Sequence, residues 1–398
     1  MHLTPIPDFV IFSAGQGVSS VGSWMQKTAV GWLAWDLTHS PAWVGAIALS
    51  DLISALWVAP LAGAVTDRSN PYRLILLMQS LMIVLALVLW AITESGHLTI
   101  WLLLLWAIVE SSAQGFNQPV RMVAIGSLAS PERMSQAIAT SSIAVNLARS
   151  IGPAIAGVVM VTSDVAYVFV INALSYIAMI GAIVWLRQRL NRPGLSSRTA
   201  PILQDVKSGF VYIRRTPNIA CLFLLALGFA VLARPFIELF PAIAGGVLQG
   251  GPYILSMLMS AQGIGALLGA IWMLRANPAE HIVKITFGAA MGIALTLVIF
   301  SLTTHLYLVV LIIGIAGIFH VVCNIGMQTM AQTMSEPAMK GRVMASYGLI
   351  FRAGPAVGAF AIGIAAHWIN LQWLLGIAAA AFALLVAINW PSIRRIYF

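Results

Sequence analysis

The sequence predicts an all-α membrane protein, with twelve transmembrane helices in two pseudo-symmetric six-helix bundles. Three observations carry that prediction. Of 398 residues, 60% are hydrophobic and only 33 are charged (21 Lys and Arg with 12 Asp and Glu), too little polar surface to cover a water-soluble globule. The apolar residues gather into twelve runs, each long enough to cross a hydrocarbon core of about 30 Å. Motifs in the first six runs recur in the last six at a nearly constant offset.

The runs cover residues 9–35, 42–66, 73–93, 98–120, 134–161, 164–186, 217–248, 253–274, 283–303, 305–331, 343–366 and 370–390. The first follows MHLTPIPDFV, which lacks a basic leader, and it is too long and too rich in Gly and Trp for a cleavable signal. It is expected to stay in the mature protein. The connections set the orientation. Seventeen of the 21 Lys and Arg fall in the even-numbered connections or the C-terminal tail, whereas the odd-numbered connections hold none and carry Asp36, Glu94 and Asp164. By the positive-inside rule both termini are cytoplasmic. The net charge of +9 then marks a cytoplasmic membrane face and gives no reason to expect nucleic-acid binding.

After run two, the stretch GAVTDRSNPYR places Asp67, Arg68 and Arg73 in a chain that is only 8% charged. Gly63 permits close helix approach, and Asp67 is placed to face the positive N-terminal end of run eleven and Arg121. Gly63, Asp67, Arg68, Arg73 and Arg121 read as a cytoplasmic latch that closes when the bundles meet on that side. A loop whose charges only fix orientation explains Arg68 and Arg73 but not Asp67. Asn70 tolerates a left-handed backbone and is expected to keep the turn.

The longest polar stretch divides the chain into a bundle of residues 1–186, a cytoplasmic linker 187–215 and a second bundle 216–398. Within the linker, Ile202, Val206, Phe210 and Ile213 have helical spacing and predict an amphipathic helix on the membrane surface. A shift of 207 residues lays RSNP (Arg68–Pro71) on RANP (Arg275–Pro278) and Asn117 on Asn324. A shift of 202 superposes Gly152-Pro153 on Gly354-Pro355. Leu274 stands where the second copy of Asp67 belongs, so the latch is one-sided. Pro153 and Pro355 free the carbonyls four residues earlier, at Arg149 and Phe351, and mark helix kinks.

Seven formal charges fall inside runs: Lys27, Asp51, Glu110, Arg149, Arg234, Glu238 and Arg352. At 1.5 Å rise each lies about 13 to 22 Å from the outer helix end, a shared band near mid-membrane. A charge there costs at least about 2.5 kcal/mol, so each is expected to be paired; for any single pair a structural role and a role in transport stay equally open. Depth matches Lys27 with Asp51 and Glu110 with Arg149; Arg234 and Glu238 are i,i+4 neighbours, and Arg352 is left with substrate or a backbone carbonyl. A carboxylate that loses its cationic partner takes up a proton more readily, which makes Asp51, Glu110 and Glu238 proton-coupling candidates. His320, at similar depth, titrates near neutrality, although a lone His is more often a core residue. Trp24 and Trp57, away from the interfacial belts, join Met25, Met257 and Met259 as candidate lining of a substrate cavity; core or lipid-facing positions suit them equally.

GAVTDRSNPYR, FNQPVRMVAI closing run four, NLARSIGPAIAG in run five, ARPFIELFP in run seven and GLIFRAGPAVGA in run eleven together resemble the major facilitator superfamily. The resemblance is to its twelve-helix drug and siderophore efflux branch, which includes enterobactin-exporter-like proteins. It implies two bundles rocking around a central site, and in that superfamily a Gly-Pro element in span five accompanies antiporting exporters.

The function expected is therefore proton-coupled export of small amphipathic organic molecules across a bacterial inner membrane. The partners are protons, the lipid bilayer and a small-molecule substrate, and a monomer is expected. Four cations against three carboxylates in the band lean towards acidic or phenolic substrates. An uptake symporter, a lysolipid or lipid flippase and a non-transporting sensor stay open as alternatives. No H-E-x-x-H, G-x-S-x-G, paired intramembrane aspartates or nucleotide-binding G-x-x-x-x-G-K-[ST] occurs, so no enzyme, cofactor or metal is expected. Cys221 and Cys323, without metal-type spacing, read as small core residues.

Overall fold

Asn70 and Pro71 show why the chain folds helix by helix. The Asn70 side chain accepts from the Tyr72 amide at 2.9 Å, and Pro71 supplies the fixed φ of a first helical turn. In the computed structural model, which describes residues 7–190, 211–276, 281–337 and 339–397, that cap opens α3 (Pro71–Glu94). Before it come α1 (Asp8–Thr38) and α2 (Pro41–Arg68). Gly96, at φ +71°, makes the left-handed turn into α4 (Ile100–Leu128), which Thr99 caps. Asp164 caps α6 (Val165–Trp185) after α5 (Met134–Thr162). The second half continues with α7 (Pro217–Gly228), α8 (Pro252–Ala276), α9 (Ile282–Phe300), α10 (Leu306–Met334), α11 (Lys340–Ala365) and α12 (Leu371–Tyr397). Among the described residues nine helices are long and apolar enough to cross a membrane. The chain is an integral membrane protein, and its helices are consistent with twelve spans.

Three differences from the sequence reading have physical causes. First, α2, α4 and α12 run beyond the apolar runs, to Arg68, Leu128 and Tyr397, because helix propensity continues after hydropathy fades outside the hydrocarbon. Asp67, Arg68 and Arg121 therefore lie on helices and not in a loop. Second, Asn70 is extended (φ −69°, ψ 121°) and works as a cap, so no left-handed turn is needed there. Third, run seven is not one helix. After α7 come a π-helical segment Phe229–Ala233, short helices Pro235–Glu238 and Phe240–Ala242, and a second π-helical segment Ile243–Val247. Pro235 and Pro241 cannot donate to the helical ladder, and the chain shifts to i→i−5 bonds, with the Arg234 amide donating to the Phe229 carbonyl at 2.9 Å.

The helices gather into two compact units, Met1–Leu33 with Ile53–Thr199, and Ala34–Leu52 with Ala200–Phe398. Residues 34–52 thus join the second unit, where the sequence had placed them with the first bundle. Small residues explain it: a Cβ on Gly45 would sit 2.6 Å from the Phe360 Cα, and one on Gly363 would sit 2.5 Å from the Pro41 carbonyl oxygen. Of the expected linker helix, Ile202, Val206 and Phe210 lie outside the described residues, while Ile213 is helical and buried.

Within the first unit α3 packs on α4 and α6; within the second, α10 is the hub for α8 and α9. Lipid offers no hydrophobic drive between helices, so close backbone approach carries the packing. A Cβ on Gly269 of α8 would lie 2.7 Å from the Ile318 carbonyl oxygen on α10. Cys323 is fully buried, and the Cys221 thiol donates to Asn389 Oδ1 at 2.9 Å.

Candidate functional site

In the first unit a chain of amides leads to a carboxylate. Asn117 donates from Nδ2 to Gln114 Oε1 at 2.8 Å, and Gln114 donates from Nε2 to Glu110 Oε1 at 3.2 Å. Spacings of three and four residues put all three on one face of α4. Glu110 also acts electrostatically on the phenol of Tyr176, on α6. Tyr176 is 2% exposed; its hydroxyl lies 3.1 Å from Ser23 Oγ of α1 and accepts from Asn172 Nδ2 at 3.4 Å. Asn172 Nδ2 also donates to Gln26 Oε1 at 2.8 Å. A polar network of α1 and α6 thus lies in the interior, where an unsatisfied group costs several kcal/mol.

Beside it, two cations share one ring. Lys27 Nζ lies 5.7 Å and the Arg149 guanidinium 5.1 Å from the centroid of Trp24, distances at which the ring quadrupole attracts both. Lys27 and Arg149 are exposed. Gly152 draws α5 onto α1 at this point, since a Cβ there would lie 2.6 Å from Trp24 Cβ and 2.9 Å from the Val21 carbonyl oxygen. Pro153 is buried next to it.

In the second unit Arg234 faces α11. Its Nη1 donates to the Phe351 carbonyl at 2.8 Å, and its guanidinium lies 5.8 Å from the Phe351 ring. Tyr347 stacks on Phe351 at 4.3 Å, and its hydroxyl donates to the Asn324 carbonyl at 3.3 Å. His320 is buried with its ring 5.5 Å from Phe229. A Cβ on Gly354 would lie 2.5 Å from Ala230 Cβ, so the π-helical segment sits directly against α11, where Pro355 is buried. Glu238, half-buried, ends the short helix after Arg234 and acts on it electrostatically.

The remaining expected residues are spread more widely. Asp51 is half-buried on α2, Arg352 and Arg73 are exposed, and Arg121 is half-buried on α4. Met257 and Met259 are half-buried on α8; Met25 is only 1% exposed and belongs to the core, because Gly152 brings α5 against the α1 backbone at that point. Gly63, Asp67, Arg68 and Trp57 fall on the helical backbone of α2, and their side chains lie outside the described residues.

Sequence reasoning missed Gln26, Asn172 and Tyr176. The signal was present, since amides and a phenol inside apolar runs need partners in hydrocarbon as formal charges do.

The sequence profile described as transmembrane secretion effector matches residues 6–394. Among curated proteins the chain is similar to the staphyloferrin A transporter of Staphylococcus aureus, 22% identical over 300 residues covering 74% of each chain. It is similar to the uncharacterised major facilitator-type transporter YfiS of Bacillus subtilis, at 25% identity over 90% of this chain and 87% of YfiS. It is also similar to the enterobactin exporter EntS of Shigella flexneri, at 26% identity over 61% of this chain and 56% of EntS. In fold it is similar to the nucleoside transporter NupG, with a TM-score of 0.74, 14% identity, and coverage of 97% of this chain and 99% of NupG. A bacterial homologue of the iron transporter ferroportin in an inward-facing state gives a TM-score of 0.73 at 11% identity, over 96% of this chain and 98% of that one.

Proposed function

This chain belongs to the transmembrane secretion effector family of major facilitator transporters, and we propose that it exports siderophore-like organic acids or phenols in exchange for protons. The single observation that carries this reading is the Asn117–Gln114–Glu110 series on α4. A half-buried carboxylate that accepts from the Gln114 amide is a group that can hold or release a proton, since a full charge beside lipid is costly and its protonated form is not. The exposed Lys27 and Arg149 on Trp24 supply positive charge and an aromatic face to an anionic, ring-bearing substrate. On this proposal the loaded forms, protonated at Glu110 or occupied by the anionic substrate, exclude one another, which is the physical basis of exchange.

On this proposal both termini lie in the cytoplasm of a cell whose inner membrane holds the protein as a monomer, with no nucleic-acid partner. The cytoplasmic latch around Asp67 and Arg121 belongs to the same proposal. Two of the relatives are described as transporting or exporting siderophores, which selects the probes.

The test uses proteoliposomes sorted for the inside-out orientation and metal-free enterobactin or staphyloferrin A outside. An acidic lumen is expected to drive accumulation of at least one probe, and nigericin or Glu110→Gln to abolish it. Accumulation driven by an alkaline lumen overturns export by antiport in favour of symport, and equal accumulation without any gradient overturns proton coupling.

A further inference from the structure

Pro355 has no amide hydrogen, so the Phe351 carbonyl one turn earlier lacks its helical donor inside a long apolar helix. That carbonyl is where Arg234 Nη1 donates, at 2.8 Å. The guanidinium reaches it because the π-helical segment Phe229–Ala233 ends at Arg234, with the Arg234 amide bonded to the Phe229 carbonyl five residues back. A π-turn rotates the next residues relative to an α-helix and turns this side chain towards α11. Two glycines allow the approach: Gly354 lies against Ala230, and Gly358 against the Val231 carbonyl and the Pro235 ring. Pro235 removes the helical donor of that same Val231 carbonyl, so the two facing helices are each broken by proline at their contact.

We infer that Arg234 is a positioning residue, a clasp that supplies the hydrogen bond Pro355 withholds from Phe351 and so holds the proline break of α11 against run seven. This goes beyond charge pairing with Glu238. The clasp makes the break tolerable in hydrocarbon while keeping α11 free to bend there, because a side-chain donor is released and regained without rebuilding a helical turn. A backbone donor from an uninterrupted helix holds α11 straight.

Arg234 and Pro355 thereby depend on one another in a way no surface contact predicts. In Pro355→Ala the new amide at 355 donates to Phe351, and the guanidinium loses its task. Thermal unfolding of the purified full chain in detergent, with hydrogen exchange of the α11 amides around Phe351, tests this. Arg234→Met alone is expected to lower Tm by about 5 °C and to speed exchange at Ala353 and Gly354 about tenfold. Combined with Pro355→Ala, the same substitution is expected to cost less than half as much and to leave that exchange slow. Arg234→Lys, which keeps a donor, is expected to fall between. Should Arg234→Met fail to yield folded protein, recovery of monodisperse protein from the double variant is the expected rescue. Equal losses in both backgrounds, a double variant that also fails to fold, or a Glu238→Gln variant that reproduces Arg234→Met in full overturns the clasp.

Discussion

The two Gly-Pro elements solve the same packing problem with their parts exchanged. In the first unit the cation is on the proline-bearing helix and the ring on its neighbour: Arg149 of α5 lies over Trp24 of α1. In the second the ring is on the proline-bearing helix and the cation on its neighbour: Phe351 of α11 takes Arg234. The shift of 202 that superposes the motifs also superposes Arg149 on Phe351, so on the proline-bearing helices the exchanged groups sit at equivalent positions. What is kept is the glycine, which brings each proline-broken helix against a neighbour, together with a cation–ring pair beside it. What differs is the consequence. Arg149 and Lys27 remain exposed on Trp24, whereas Arg234 is committed to a backbone carbonyl. In one copy the cations lie over a ring, and in the other the cation reaches a backbone carbonyl as well.

The largest expected effects break the shared part. Gly152→Ala meets the Trp24 Cβ, the Val21 carbonyl and the Met25 amide, all within 3.2 Å, whereas Gly354→Ala meets chiefly the Ala230 methyl. Both are expected to destabilise, by about 3 kcal/mol at Gly152 and about 2 kcal/mol at Gly354. Thermal unfolding in detergent checks the order, and Ala230→Gly should restore Gly354→Ala, since it removes the atom in the way. No rescue means that the approach at Gly354 is set elsewhere.

A smaller effect is expected in the polar network of α1 and α6 in the first unit. Asn172 is fully buried and bonded to Gln26 and Tyr176, so Asn172→Leu should cost about 1–3 kcal/mol through the groups it leaves unsatisfied. Smaller again, Trp24→Ala should cost about 1 kcal/mol and Trp24→Phe about half that, because the ring serves two cations at exposed positions. If Trp24→Ala proves as costly as Gly152→Ala, the ring is structural and the contrast between the two copies fails.

Helices and motifs were legible because hydropathy and proline act through short-range rules. The freed carbonyl at Phe351 could be named from Pro355 alone. Its donor could not. The i,i+4 spacing paired Arg234 with Glu238, which does act on it electrostatically, but the contact with α11 depends on the π-helical segment just before Arg234, and hydropathy carries no trace of that. The C-terminal ends of α2 and α4 were clipped for a related reason, since residues beyond the hydrocarbon stay helical without being apolar. Residues 34–52 joined the second unit through glycine contacts with α11 that connect segments more than 300 residues apart, beyond any local pattern.

The central claim is that Glu110 carries the proton that exchanges for substrate. Its most direct test is proton release from purified protein in weakly buffered detergent when metal-free enterobactin or staphyloferrin A is added, with Asp51→Asn and Glu238→Gln measured alongside. The account predicts release from the wild type and from both comparison variants, and none from Glu110→Gln that still binds the probe. Undiminished release from Glu110→Gln would contradict it.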